Sequence, residues 1–317
     1  VPVQRGMRAG ESMKTWKKAV MAAMGILAAG MLLFSCGGET KGTAIRVGTK
    51  DFTENLVVGE LYALALEDAG YTVKRVFTIA GSVVHASIVN GEIDLYPEYT
   101  GTGLLTVLKM EAMADPAQVY ATVKREYARR FNLVWLEPSR ANDSQGLALK
   151  TSVAREFGIA TISDLQRNAH KIRFASQGEF DQRADGLPGL EQVYGPFRWK
   201  SSRVFDNGLK YQVLLDDEAD LVPAYTTEGR LADTEKFTLL RDDKHMWSPY
   251  YLAPVIRADV LAAHPDIAGI LNRVSASLDT GTMTALNAKV DVDKREVADV
   301  AKEFYLGIRP QPGGEGR

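Results

Sequence analysis

The sequence has few of the residues that build metal and nucleophilic sites. Cys36 is the only cysteine in 317 residues, so no disulfide can form within the chain. The four histidines are scattered, without the spacing of zinc ligands: His85, His170, His245 and His264. No Gly-x-Ser-x-Gly nucleophile elbow occurs. We therefore expect a protein that is not an enzyme and has no metal and no cofactor.

The sequence also lacks an excess of charge of either sign. Its 38 basic and 40 acidic side chains leave a net charge of -2. Proteins that bind nucleic acid usually carry a basic surface, so this balance argues against nucleic acid as a partner. The length favours two domains or one large one.

The N-terminus has the pattern of a signal peptide. A short basic region over Met13–Lys18, where Met13 is a candidate start, precedes an uncharged apolar run over Ala19–Phe34. That run is shorter than the roughly 20 residues of a membrane helix. We expect residues 1–35 to be removed and the mature chain to be exported.

Small residues surround the single cysteine, and the stretch Leu33–Gly38 resembles the lipobox of bacterial lipoproteins. The resemblance implies that Cys36 is lipidated, that residues 36–43 form a tether, and that the protein is anchored on the outer side of a bacterial membrane. The alternative is a plain secretory signal with an incidental cysteine. At the other end, residues 311–317 are expected to be disordered.

From residue 44 onward, strand and helix patterns alternate, which predicts an α/β architecture. Polar segments near residues 138–144 and 242–248 read as crossings between two lobes. The first lobe would comprise residues 44–141 and 245–310, and the second residues 142–244. Prolines at 249 and 254 predict that the strand after the second crossing lies at a sheet edge.

A repeat relates the two lobes. Asn90–Gly103 aligns without a gap with Asp216–Gly229, and seven of the fourteen aligned pairs are identical. Each copy predicts a short strand that ends at a proline, followed by a tyrosine and a threonine. Ligands of open α/β sheets bind at that strand edge, so Tyr99 and Tyr225 are predicted to face a shared cleft. The alternative is chance similarity and two ordinary core tyrosines.

Four stretches carry a family resemblance: Val47–Glu54, Gly91–Thr102, Asp185–Leu190 and Asp242–Tyr250. They resemble motifs of the substrate-binding proteins of osmoprotectant ABC importers, which take up glycine betaine, choline or carnitine. The resemblance covers nearly all of residues 45–308. It implies a type II periplasmic-binding-protein fold, a small quaternary-ammonium ligand and an ABC permease as partner.

The resemblance also implies site residues. Tyr99, Tyr225 and Tyr250 match the tyrosines that box the ammonium. Lys50, Thr102 and Arg183 match groups around the ligand's other end, and Asp143 matches an acidic residue nearby. A trimethylammonium has a diffuse charge and no N–H to donate, so aromatic faces suit it. Each face contributes roughly 0.5–2 kcal/mol once desolvated.

One position departs from the family pattern. Gln145 stands where the family commonly has a further box tyrosine, so one side of the cage would lack an aromatic face. Tyr251 or Trp247 could compensate. The departure keeps a second hypothesis open, a receptor for another zwitterion or an amino acid. A third hypothesis is an enzyme on the same fold.

Overall fold

The computed structural model describes Val1 and residues 44–178, 180–183 and 185–309. Apart from Val1, the predicted signal peptide, the candidate lipidation site Cys36, the tether and residues 311–317 lie outside that part of the chain. Within it, no helix is both long and apolar enough to cross a membrane.

The first lobe is a five-stranded sheet with helices on both faces. Its strand order is β2-β1-β3-β10-β4. The strands are β1 (Ile45–Lys50), β2 (Val73–Ile79), β3 (Leu95–Tyr99), β4 (Leu133–Trp135) and β10 (Leu252–Arg257). The helices are α1 (Thr53–Asp68), α2 (Val84–Val89), α3 (Thr100–Thr102, continued by a π-helical turn at Gly103–Val107), α4 (Pro116–Phe131), α9 (Ala258–Ala263), α10 (Asp266–Ala276), α11 (Thr280–Asp291) and α12 (Val297–Ile308).

The second lobe repeats this plan in the middle of the chain. Its strand order is β7-β6-β8-β5-β9. The strands are β5 (Gln145–Lys150), β6 (Arg173–Ser176), β7 (Ser201–Val204), β8 (Leu221–Tyr225) and β9 (Phe237–Leu239). The helices are α5 (Thr151–Phe157), α6 (Ile162–Asn168), α7 (Leu187–Tyr194) and α8 (Lys210–Leu215). The two-lobed α/β architecture expected from the sequence is confirmed.

Each sheet is buried by apolar side chains on both faces. In the first lobe, Leu61 and Tyr62 of α1 pack on one face, while Tyr127 and Trp135 lie in a separate cluster on the other. All four side chains are fully buried. Burial at about 25 cal/mol per Å² is the main stabilising contribution to such a core. Gly70 ends α1 with a φ of 88°, a left-handed conformation that glycine adopts without steric cost.

The sequence predicted that the prolines of the repeat end their strands, and this prediction is wrong. Pro97 lies inside β3 and Pro223 inside β8. Pro97 faces Pro254 of β10, and its carbonyl accepts a hydrogen bond from the Asn55 side chain at 3.0 Å rather than from β10. The Pro97 nitrogen also points away from β10, toward the side of β1. The single residue pair that joins β3 to β1 lies earlier, at Leu95, so the missing N–H of Pro97 removes no ladder bond.

The edge position predicted for β10 is also wrong, because β10 lies between β3 and β4. The carbonyl of Pro254 accepts a hydrogen bond from Leu136 at 2.9 Å, one residue past the end of β4. The Pro254 nitrogen therefore points to the end of a short neighbour, where an interior strand tolerates proline.

The chain crosses between the sheets after β4 and again after β9. Met246 and Trp247 still pack in the core of the second lobe, so the return to the first lobe falls between Ser248 and Leu252, later than the expected boundary at 245. The two crossing segments pair with each other through an antiparallel bridge between Asn142 and Tyr251. A hydrogen bond of 2.7 Å joins the Tyr250 N–H to the Asn142 side chain.

An arginine–aspartate clamp occurs at the same place in both lobes. Arg46 at the start of β1 donates to Asp94 from its backbone N–H at 2.8 Å and from its guanidinium at 3.0 and 2.5 Å. Arg173 at the start of β6 makes the same three bonds to Asp220, at 2.8, 3.0 and 2.6 Å. The two aspartates are aligned partners in the repeat, so the repeat reflects a structural correspondence.

Candidate functional site

A cavity of about 500 Å³ lies between the two lobes, at the carboxyl ends of the central strands. All eight residues that the sequence analysis predicted for the ligand site line it: Lys50, Tyr99, Thr102, Asp143, Gln145, Arg183, Tyr225 and Tyr250. Their contribution to ligand binding stays a prediction.

The elements explain why these side chains converge. Lys50 and Tyr99 are the last residues of the neighbouring strands β1 and β3, and Tyr225 is the last residue of β8. Asp143 and Tyr250 lie on the paired crossing segments, where the Asp143 N–H donates to the Tyr250 carbonyl at 3.1 Å. Both lobes and the crossings therefore contribute to one site, as expected for a ligand held at strand ends.

The two strand-end tyrosines have different surroundings. Tyr99 is 3% exposed and donates its hydroxyl to the Glu54 carboxylate at 3.0 Å. Phe52 lies beside it, with ring centroids 6.0 Å apart. Tyr225 is 44% exposed, so much of its ring is open to the cleft. Tyr99 is a fixed wall of the cavity, whereas Tyr225 projects into it.

The Lys50 side chain is buried and paired rather than solvated. Its ammonium lies 2.5 Å from Glu98, a side chain 1% exposed, and 5.1 Å from the centre of the Tyr99 ring. Glu98 also accepts the Tyr96 hydroxyl at 3.1 Å. The charge of Lys50 is thus neutralised inside the protein before any ligand arrives.

Tyr250 packs directly over the backbone of α3. A Cβ atom at Gly101 would lie 2.6 Å from the Tyr250 ring, closer than side chains approach one another, so glycine is required there. Burial raises the pKa of Tyr250 to about 12, and the nearby Asp185 carboxylate adds to the rise. The phenol therefore stays neutral and can offer its ring face to a ligand.

Two carboxyl groups inside the cavity lack a cation partner among the described residues. Glu54, 3% exposed, accepts hydrogen bonds from Tyr99 and, at 2.9 Å, from Asn287. Asp143 accepts from the Thr227 hydroxyl at 2.7 Å. Burial raises the pKa of Glu54, and burial followed by the repulsion from Glu54 raises the pKa of Asp143 to about 8.

Arg183 lies at the entrance of the cavity and is exposed. Its guanidinium holds Asp185 with two bonds, of 2.7 and 2.6 Å. This fork keeps the pKa of the Asp185 carboxyl below its usual range. A ligand carboxylate would have to share Arg183 with Asp185.

Gln145 is 9% exposed and faces Tyr225 in the β5–β8 ladder. Neither aromatic that could compensate for it lines the cavity. Trp247 is buried in the second lobe, with its indole N–H bonded to the Asp185 carbonyl at 2.8 Å. Tyr251 lines a separate cavity. Gln145 therefore supplies an amide rather than an aromatic face to this part of the cavity.

Sequence reasoning missed several lining residues. Phe52, Thr53 and Glu54 follow Lys50 within a motif already singled out, and Thr227 and Glu228 belong to the second repeat copy. Attention to whole motifs could have found these five. No sequence pattern pointed to Thr106, Asn287 or Asp291. Asn287 and Asp291 lie on α11, and they reach the cavity only because this C-terminal helix packs beside it.

The arrangement suits binding of a small organic cation. Aromatic rings, neutral amide and hydroxyl groups and unpaired carboxyl groups surround one cavity. Within the described residues there is no group of three or more histidine, cysteine or acidic side chains placed to hold a metal ion.

Comparison with known proteins gives consistent matches. Residues 43–305 match the family described as the substrate-binding domain of ABC-type glycine betaine transport systems. The chain is 33% identical to a glycine-betaine-binding protein of Pseudomonas aeruginosa, over 90% of this chain and 91% of that protein. It is 30% identical to the ergothioneine transport permease/ergothioneine binding protein EgtU of Helicobacter pylori, over 83% of this chain but 47% of that protein.

Among solved structures, the apo YehZ of Escherichia coli superposes with a TM-score of 0.75 at 29% identity, covering 84% of this chain and 99% of that one. The type II periplasmic-binding-protein fold implied by the sequence motifs is thereby confirmed.

Proposed function

The chain belongs to the family of substrate-binding domains of ABC-type glycine betaine transport systems, and from this premise we propose that it captures a quaternary-ammonium osmoprotectant between its lobes and delivers it to an ABC permease. The family is one of extracytoplasmic transport receptors rather than of enzymes. Glycine betaine, choline and carnitine are the candidate ligands.

The observation that carries the proposal is the convergence of three tyrosines on one interlobe cavity. Tyr99 comes from the first lobe, Tyr225 from the second and Tyr250 from the crossing. We assign these rings to the trimethylammonium group. Lys50, Thr102 and Arg183 are assigned to the polar remainder of the ligand, together with Gln145 and Asp143.

The magnitudes are sufficient for useful binding. A micromolar Kd requires about 8 kcal/mol. Three aromatic faces contribute roughly 0.5–2 kcal/mol each, and burial of the methyl groups adds about 25 cal/mol per Å². Part of this gain offsets the loss of ligand and lobe freedom. These contributions approach about 8 kcal/mol only when all three rings contribute near their upper limit, so we expect a Kd that is micromolar or weaker.

Calorimetry of residues 37–317, which omit the signal peptide and the candidate lipidation site, with glycine betaine, choline, carnitine and ergothioneine tests the ligand class. We expect saturable heat with at least one of them. Tyr225→Ala should weaken that binding about tenfold or more, while Tyr305→Phe, outside the cavity, serves as the matched control. Folded protein that gives no heat with any of the four would contradict the proposal.

A second candidate is a receptor for a different zwitterion or an amino acid. Gln145 favours it, because this buried amide can hydrogen-bond a polar headgroup and offers no aromatic face. Gln145→Tyr should strengthen binding of a quaternary ammonium if the cage is open at that side. An unchanged or weaker affinity in this variant would count against an open cage.

We further propose that Cys36 carries a lipid that anchors the receptor outside the membrane. Lipid attachment on a cysteine buries many CH₂ groups at about 0.8 kcal/mol each, so anchoring would be stable. Labelled palmitate should enter the protein in bacterial cells and be absent from Cys36→Ser. Label that persists in the variant would rule out this anchor.

A further inference from the structure

One end of the cavity presents hydrogen-bond acceptors that no cation among the described residues neutralises. Within that part of the chain, Glu54 and Asp143 have only neutral donors as partners, and Thr227 lies between them. Asn287 donates from its amide nitrogen to Glu54 and to the Thr227 carbonyl, both at 2.9 Å. The Asn287 side-chain oxygen is buried and finds no hydrogen-bond partner in the described part of the chain. A buried acceptor without a partner costs about 1–3 kcal/mol.

The cations that line the cavity are already paired elsewhere. Lys50 is bound to Glu98 and Arg183 to Asp185, so each brings its own counter-charge. The carboxylate of a zwitterion would therefore have to share one of these cations with the carboxylate that it already holds. A ligand with a single positive charge meets no such competition.

Resting on the function proposed above, we propose that Glu54, Asp143 and Asn287 form an acceptor site for a ligand hydroxyl group. The cleft would then prefer a hydroxyl-bearing monocation of the choline type to a zwitterion of the glycine betaine type. The hydroxyl donates to this acid end while the trimethylammonium occupies the tyrosine cage. Glycine betaine has no hydroxyl group to donate to this end of the cavity.

The other charged groups around this site do not reverse the preference. Asp291 on α11 accepts the Thr53 hydroxyl at 2.6 Å and adds negative charge. Glu228 is held by Lys210 and by the Tyr211 hydroxyl, at 2.5 Å for the latter. The three cage phenols stay neutral, because burial raises the pKa of each.

The site also predicts different pH trends for the two ligand types. A cation stabilises ionised Glu54 and Asp143, so choline should release protons on binding and bind about tenfold more tightly near pH 8.5 than near pH 6. Glycine betaine binds more readily when these groups are protonated, so its affinity should be flat or fall over that range.

The test is calorimetry of the same chain with four probes: choline, O-methylcholine, tetramethylammonium and glycine betaine. O-methylcholine keeps the charge and removes the hydroxyl donor. We expect choline to bind at least about tenfold more tightly than O-methylcholine and than glycine betaine near pH 8. Asp143→Asn and Glu54→Gln should each reduce the preference for choline, whereas Glu303→Gln on the outer surface should keep it.

The outcomes separate the two proposals. If neither these probes nor the remaining compounds of the first panel, carnitine and ergothioneine, bind to the folded protein, the function proposed above is refuted. Binding of glycine betaine as tight as that of choline, or equal binding of choline and O-methylcholine, would overturn the acceptor site and leave the receptor role standing. If Glu54→Gln does not fold, Asp143→Asn and the probe series on the unmodified chain still decide.

Discussion

The two lobes share a plan but differ in the surroundings of the tyrosine that ends the central strand. Each lobe has a central strand at the third position of a five-stranded sheet, an arginine–aspartate clamp and a tyrosine that ends the central strand. Yet Tyr99 is buried and bonded to Glu54, while Tyr225 is 44% exposed. The end of the strand directs each ring toward the cleft, and the residues packed around the ring decide how much of it is exposed.

The surroundings differ because the aligned neighbours differ. Glu98, which pairs with Lys50, corresponds to Ala224 in the second copy. Gly103 lies against the Trp135 ring within its own lobe, whereas its counterpart Gly229 lies against the backbone of Ala288 in α11, across the cleft. One lobe has a rigid, polar wall, and the other contributes the contact that joins the lobes.

Replacement of the two tyrosines should expose this difference most strongly. Tyr99→Ala removes a buried ring and leaves Glu54 short of a donor, so the free energy of unfolding should fall by about 3 kcal/mol or more. Tyr225→Ala should change it by less than about 0.5 kcal/mol. Urea unfolding of both variants measures this. Equal losses would refute the distinction between a fixed wall and a projecting ring.

The clamps should behave alike where the tyrosines do not. Asp94→Ala and Asp220→Ala each remove a buried carboxylate that accepts three bonds from one arginine. Because both arginines are partly exposed, we expect each variant to lose about 2 kcal/mol. Chemical denaturation compares the two, with Asp259→Ala at an exposed ion pair as control. A loss in only one lobe would show that the clamps are not equivalent.

Substitutions of the two aligned glycines should affect different properties, the folding stability at Gly103 and ligand binding at Gly229. Gly103→Ala forces the Trp135 ring to move and should destabilise the fold by about 1–2 kcal/mol. Gly229→Ala would place a Cβ 2.7 Å from the Ala288 nitrogen, so it should chiefly weaken ligand binding by opposing the approach of α11. Calorimetry and thermal unfolding of both variants test this. Unaltered binding in Gly229→Ala would show that this contact does not affect the ligand cavity.

The smallest effect concerns the carboxyl groups between the lobes. The pKa of Asp143 is raised in the folded state to about 8, so its stabilising contribution is present at acidic pH and is lost as the pH rises toward that value. Without ligand, Asp143→Asn should therefore be more stable than the unmodified chain by at least about 1 kcal/mol near pH 8.5, and by clearly less near pH 5. Urea titrations at both pH values measure the difference. A constant difference at both would argue that Asp143 does not titrate in this range.

Part of the site was predictable because it lies within local patterns. The repeat placed Tyr99 and Tyr225 at strand ends, and the family resemblance supplied the other six predicted residues that line the cavity. The prolines misled, because a proline inside a strand costs a ladder bond only where its nitrogen faces a partner. Which side Pro97 and Pro254 present is a matter of register, and register depends on neighbours far away in the sequence.

The sequence by itself determined the order of strands and helices, the duplication of the lobes and the aromatic residues at their edges, since these follow from periodicity and turn chemistry over short stretches. Only the tertiary structure decided that Glu54 and Asn287, 233 residues apart, share a hydrogen bond beside Asp143. It also decided that Lys50 and Arg183 are neutralised before a ligand binds. Burial and charge pairing depend on which surfaces pack together, and no local pattern records that.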